Sequence, residues 1–210
     1  AAAVISTGAD KTLLAGTSSE GVSSLEKGVL ESVPKVVDFL VSKVKADSSL
    51  DNAQGPMPSL SGAVEWINSP ALTNDSLKGK VVLVDFWTYD CINCQRTLPY
   101  VKDWAKKYEK DGLVVIGVHT PEYGFERIIG NVKDQVKKLG ITYPVAIDNN
   151  YTIWRNFENQ YWPAHYLIDA KGQVRYTHFG EGSYDTQEKV IQQLLEEAKA
   201  DAKAATAPAV

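Results

Sequence analysis

Lys80–Pro99 reads KVVLVDFWTYDCINCQRTLP, and its two halves decide the fold. Val81–Trp87 is an apolar, β-branched run broken only by Asp85, the pattern of a strand buried on both faces. Cys91-Ile-Asn-Cys94 follows and holds both cysteines of the chain. In the next residues, QRTLPYVKDWAKKYEKDG, the apolar Leu98, Val101, Trp104, Ala105 and Tyr108 recur at helical spacing, so the cysteine pair opens a helix. Unpaired N–H groups and the positive end of the helix dipole gather at that point. Both favour an anion and lower a thiol pKa from about 8.5 to roughly 3.5–7.5. Cys91 is therefore the expected attacking thiol. Cys94, three residues on, shares its side of the first turn and can close a disulfide with it.

A C-x-x-C admits three readings: a redox dithiol, half of a zinc site, or a structural crosslink. Structural zinc needs four ligands, and the histidines that remain, His119, His165 and His178, are not paired at finger spacing. A bridge across two residues closes too small a loop to stabilise much, because the benefit grows with loop length. Redox chemistry is the favoured of the three, and resolving a mixed disulfide requires Cys94 to lose its proton. Asp85, in a strand buried on both faces, is costly to ionise and is the expected acceptor, directly or through water. His119 ends a second apolar run and reads as a core histidine.

Composition bounds the rest. The net charge over 210 residues is −4, so no basic field invites nucleic acid or an anionic membrane. The longest aliphatic stretch, Leu113–Val118, is far shorter than the ~18 apolar residues a membrane span needs. The start, AAAVISTGAD, lacks the basic region and apolar core of a signal peptide. Confining both thiols to one motif suits an oxidising compartment. The glycines form no phosphate-binding loop, and neither a metal, a flavin nor another cofactor is expected.

Taken in order, residues 1–22 are rich in Ser, Gly, Thr and Ala and read as a flexible lead. Leu25, Val29, Val33, Val36, Leu40 and Val44 then recur at helical spacing, with Pro34 as a kink, in a helical extension and linker over 23–57. That helix either packs on the domain or serves docking or dimerisation through residues 23–45. Ser59–Ile67 fits a short strand or hairpin. LVVIGVH (113–119) is a second buried strand, parallel to the first through the intervening helix. A helix over Phe125–Leu139, a short strand over Tyr143–Asp148, a helical segment over 151–160, strands over 164–169 and 174–180, and a final helix over Asp185–Ala200 follow. Residues 201–210 are expected to be a disordered tail.

Together, Leu77-Lys-Gly-Lys-Val-Val, Asp85-Phe-Trp-Thr-Tyr, Cys91-Ile-Asn-Cys-Gln-Arg, Gly117-Val-His-Thr-Pro-Glu-Tyr and Tyr161-Trp-Pro-Ala resemble the thioredoxin-like superfamily, in particular its TlpA-like branch and the thioredoxin domain of DipZ-type proteins. The resemblance covers about Pro58 to Glu197. It implies a three-layer α/β/α domain over 58–200 with a central mixed sheet. It also implies a proton-carrying role for Asp85 and a cis Pro163 opposite the dithiol, with backbone groups of Trp162 open to a substrate strand. Trp87, Tyr89 and Trp162 are the aromatics expected around the sulfurs, and Glu122 is a second candidate acid from the HTPEY loop. The resemblance implies an extracytoplasmic thiol–disulfide oxidoreductase, periplasmic where that compartment exists and tethered by a segment outside this chain. It would act on protein disulfides with a membrane thiol carrier as electron donor. Ile92-Asn93 and Asp90 depart from thioredoxin, and the acidic Asp90 opposes lowering of the Cys91 pKa, so the direction of electron flow is not readable. Two alternatives stand beside this reading. Thr88, three residues before Cys91, matches a peroxiredoxin T-x-x-C, although Val84 stands where peroxiredoxins carry proline. A non-enzymatic binding or chaperone-like module is the other.

Overall fold

The computed structural model of the chain describes residues 53–206. The lead over 1–22, the helix expected over 23–45 with its dimer role, the first part of the linker and residues 207–210 lie outside the described residues.

The sheet contains β1 (Gly55–Pro56), β2 (Glu65–Ile67), β3 (Val81–Trp87), β4 (Leu113–His119), β5 (Val145–Ile147), β6 (Ala164–Ile168) and β7 (Gln173–Phe179). They are ordered β1-β7-β6-β3-β4-β5-β2. The strand read first from the sequence, β3, lies at the centre. It runs parallel to β4 from Val81↔Leu113 to Trp87↔His119 and antiparallel to β6 from Val82↔Ile168 to Phe86↔Ala164. Every residue of β3 is buried, which is why its sequence is apolar on both phases of the strand period.

Strand alternation divides the core in two. Val81, Leu83 and Trp87 face α1 (Ile92–Tyr108), α2 (Ile129–Lys138) and α4 (Tyr184–Thr206), against Leu98, Val101, Trp104, Val132, Ile191 and Leu194. Val82, Val84 and Phe86 face the opposite layer, made by α3 (Thr152–Asn156) and the segment from Met57 to Leu77. Phe86 is edge-on to Trp154, Phe157 and Tyr166 there, at 5.3–5.7 Å between ring centres. Fully burying a side chain of this kind contributes about 1.5–3 kcal/mol, so the two faces stabilise the sheet together. The three-layer α/β/α arrangement with a mixed sheet is the one expected, with one helical layer much thinner than the other.

Four details differ from the sequence reading. The hairpin considered within 59–67 does not form: β1 pairs with β7 and β2 with β5, so the added strands sit on opposite edges of the sheet. The end of the expected linker is part of the fold, since Met57 is buried and Asn74 Nδ2 donates to the Met57 and Pro58 carbonyls. The single helix expected over 125–139 is a 3-10 turn (Gly124–Arg127) and then α2, separated at Ile128, whose backbone is extended. Finally, α4 continues past Ala200 to Thr206. Its last residues, DAKAAT, are mostly strong helix formers, and Asp201 pairs with Lys171 at 2.9 Å.

Candidate active site

At its C-terminal end β3 delivers the chain through Thr88-Tyr89-Asp90 to Cys91, which caps α1 with extended backbone (φ −82°, ψ 110°). The Cys91 sulfur accepts a hydrogen bond from the backbone N–H of Cys94 at 3.1 Å. It thus occupies the position a capping oxygen would take, and a thiolate there meets the same donor and the helix dipole. Cys91 and Cys94 are joined as a disulfide. The two sulfurs are not equivalent: Cys91 is half-buried at a cavity of about 550 Å³, whereas Cys94 is 4% exposed and part of the core beneath. An incoming sulfur can reach Cys91, while Cys94 is held behind it.

The cavity is lined by Asp90, Cys91, Ile92, Glu122, Phe125 and Trp162. On the far wall the Trp162–Pro163 peptide is cis, and the Trp162 indole N–H donates to the Thr120 carbonyl at 3.0 Å. Of the aromatics expected around the sulfurs, Trp162 lines this cavity. Trp87 and Tyr89 do not: they are 3% and 9% exposed. Trp87 lies on the helix-facing phase of β3, and Tyr89 stacks on the His119 ring at 5.6 Å while its hydroxyl donates to the Phe125 carbonyl. Tyr123 and Phe125, stacked at 5.6 Å and both exposed, supply the aromatic surface instead.

The HTPEY loop brings two glutamates to the site in different ways. Glu122 is exposed on the rim. Glu126, not singled out in the sequence, is fully buried and accepts from four donors. These are the Thr88 hydroxyl, the Asp90 N–H at 3.2 Å, and the Glu122 and Tyr123 N–H groups at 2.7 and 2.8 Å. It ties the residue before Cys91 to the opposite rim. Its bond to the Tyr123 N–H is half of a capping box, but tyrosine stands where serine or threonine would signal one, so the cue was hidden.

Thr88 spends its hydroxyl proton on Glu126, so His119 Nε2, 3.2 Å from Thr88 Oγ1, is the donor of that pair. His119 is 0% exposed, and burial pushes its pKa down to about 4. It is the neutral core histidine expected. Asp85 lies between Leu83 and Trp87 on the helix-facing side that carries Cys94. It is 3% exposed, and its Oδ1 stands 3.4 Å from Nε2 of His165, its cross-strand partner on β6. His165 was weighed in the sequence only as a zinc ligand. Among the described residues no three metal-ligating side chains cluster. Gly117, opposite Asp85 on β4, leaves room for this packing: a Cβ there would lie 2.8 Å from Trp87 Nε1 and 3.1 Å from the Tyr143 ring.

The Redoxin family pattern matches residues 54–195. Protein DipZ of Mycobacterium bovis is 53% identical over 152 residues, which are 71% of this chain and 22% of DipZ, so the chain spans about a fifth of that relative's length. Thiol-disulfide oxidoreductase YkuV of Bacillus subtilis is 32% identical over 142 residues, covering 68% of this chain and 95% of YkuV. The solution structure of a thioredoxin-like protein in the oxidized form superposes with a TM-score of 0.62 at 33% identity, over 68% of this chain and 96% of that one. A half-exposed cysteine capping the helix that follows the central strand, its partner buried one turn on, and a family match spanning the whole sheet lead to one assignment: the chain belongs to the Redoxin family, among its thioredoxin-like members.

Proposed function

We infer that this chain is a thiol–disulfide oxidoreductase that exchanges disulfides with protein substrates through Cys91. The observation that carries the reading is the asymmetry of the pair: one sulfur open to a cavity at a helix N-terminus, the other buried behind it. In the reducing direction the Cys91 thiolate attacks a substrate disulfide, forms a mixed disulfide and releases one substrate thiolate. Cys94 then gives up its proton and attacks the Cys91 sulfur, releasing the second substrate sulfur and restoring the internal disulfide. Asp85 receives that proton, Trp162 and Pro163 carry the wall along which an extended substrate segment lies, and Glu122 supplies a second acid at the rim. An external thiol must return two electrons for another cycle. As the resemblance to TlpA- and DipZ-type domains implies, that donor is a membrane thiol carrier and the compartment is extracytoplasmic. Among the described residues no helix is long and apolar enough to cross a membrane.

A peroxidase reading is weaker, because the Thr88 hydroxyl that would serve it is buried and engaged with Glu126 and His119. The test is the Cys94→Ser variant mixed with a disulfide-containing protein such as insulin. A mixed disulfide to Cys91 should accumulate and be visible by mass. A Cys91→Ser variant that forms the same adduct through Cys94, or no adduct in either case, refutes the reading. Equilibration with glutathione then gives the direction: a potential near −270 mV fits a reductant, one near −120 mV a disulfide donor.

A further inference from the structure

Resting on that dithiol reaction, the geometry of the buried pair adds a residue to it. We propose that His165 is the positioning partner of Asp85, so that the acceptor of the Cys94 proton is a carboxylate–imidazole pair sharing one proton between β3 and β6.

The argument starts at Gln187 on α4. Its side-chain N–H donates to the Gly182 carbonyl at 2.8 Å, which fixes the amide with its oxygen toward His165. That oxygen lies 2.6 Å from His165 Nδ1, so Nδ1 carries the hydrogen. In a neutral ring Nε2 then presents a lone pair, and it faces Asp85 Oδ1 at 3.4 Å. Two lone pairs of buried groups facing each other repel. One proton between them, on oxygen or on nitrogen, turns the contact into an attraction. Neither atom has a hydrogen bond to any other group among the described residues, so nothing else takes that proton's place. Burial opposes charge on the imidazole, but the hydrogen bond and charge of Asp85, with Gln187 behind, outweigh it and raise the His165 pKa.

The surroundings leave the pair as the proton store for this side of the sheet. Cys94 and Trp104 come from α1, and the Trp104 ring lies 6.2 Å from His165. The Tyr143 hydroxyl, from the loop before β5, is buried, and burial and the Asp85 charge push it well above its usual range. It therefore stays protonated and cannot accept. His119 and Glu126 are engaged with Thr88. The step balances: the Cys94 S–H proton passes to the pair, the Cys94 sulfur electrons form the bond to the Cys91 sulfur, and the Cys91–substrate bond breaks. The pair is reset when it passes that proton to the departing thiolate or, where the thiolate stays ionised, to water.

The experiment uses Ellman's reagent with the reduced chain, since each turnover releases two coloured thiolates: the first on Cys91 attack, the second on Cys94 attack. Second-phase rates are measured from pH 5 to 9. His165→Gln should slow the second release relative to the first by at least about tenfold at pH 7, a part of the roughly 10²–10⁴-fold that a positioned acid or base contributes, because Asp85 remains. In an Asp85→Asn background, His165→Gln should slow it no further, because the two act as one unit. Gln187→Glu, whose carboxylate favours the protonated imidazole, raises the pair's affinity for its one proton and should move the acidic limb of the second phase to higher pH. It stands in if His165→Gln does not fold. An unchanged pH profile in these variants, or additive slowing in the double variant, overturns the proposal. A wild-type chain that never releases the second thiolate overturns the dithiol reading itself, an outcome read before any variant.

Discussion

Acid should unfold this protein through His119. In the fold the ring is fully buried at the end of β4, edge-on to Trp87 at 5.3 Å and stacked on Tyr89. Burial holds its pKa at about 4, against an ordinary value of 6.5, with the Glu126 charge offsetting only part of the effect. Because the folded value is the lower one, the unfolded chain binds a proton that the folded chain refuses. The stabilisation from a neutral His119 is complete above pH 6.5 and is lost as pH falls from 6.5 toward 4. At about 1.36 kcal/mol per pH unit the whole window is worth about 3 kcal/mol, of which about 2 kcal/mol has gone by pH 5. Urea unfolding of the oxidised chain, followed by tryptophan fluorescence at pH 8, 6.5 and 5, measures it against His119→Gln, which keeps an N–H donor for Thr88. The variant's absolute stability is immaterial. The two curves of stability against pH should converge by about 2 kcal/mol on going from pH 8 to 5. Asp148, which burial pushes up, titrates in both proteins and cancels. So does His165, whose raised pKa acts with the opposite sign, its contribution being lost as pH rises. Parallel curves would refute the assignment of a buried, neutral His119.

Two further outcomes follow from contacts around the site. Gly117→Ala drives a methyl to 2.8 Å from Trp87 Nε1 and 3.1 Å from Tyr143, an overpacking that should cost about 1–3 kcal/mol and lower the urea midpoint without changing the slope; an unchanged midpoint counts against the close packing of β3 on β4. Glu126→Ala leaves three backbone N–H groups and the Thr88 hydroxyl without their acceptor, each at about 1–3 kcal/mol when it stays buried. Amide exchange at Asp90, Glu122 and Tyr123 should then accelerate together, and protection retained at all three would show that the glutamate is no brace.

What was legible in the sequence had a local cause. β3 and β4 were readable to the residue because parallel strands covered on both faces are apolar throughout, and the cysteine pair because two thiols at one helical turn have few other uses. Asp85 stood out as the one charge in such a run. What could not be read depends on which strand lies beside which. His165 matters because the β3–β6 register sets it opposite Asp85, and Gln187 because α4 crosses behind it. Glu126 was hidden for a related reason: its partners come from two loops, and its capping signal lacks the usual hydroxyl residue. Glu122, more conspicuous in its motif, is the exposed one of the two. β1 and β2 are shorter than any periodic pattern can reveal.

Those two short strands have a consequence for colloidal behaviour. A single stretch leaves β7 at Pro56, forms part of the thinner layer through Met57 and Leu60, and reaches β5 at Glu65, so it pairs with both ends of the sheet. Each outermost strand is then only two or three residues long, and one of them ends in a proline with no N–H to offer. Long unpaired edges are templates on which another chain can add and propagate, and brief, proline-bearing ones are poor templates. A protein whose proposed work lays an extended substrate segment beside its sulfurs thus offers, among the described residues, sheet margins on which that segment adds poorly, so engagement at the sulfur cavity meets little competition from the edges.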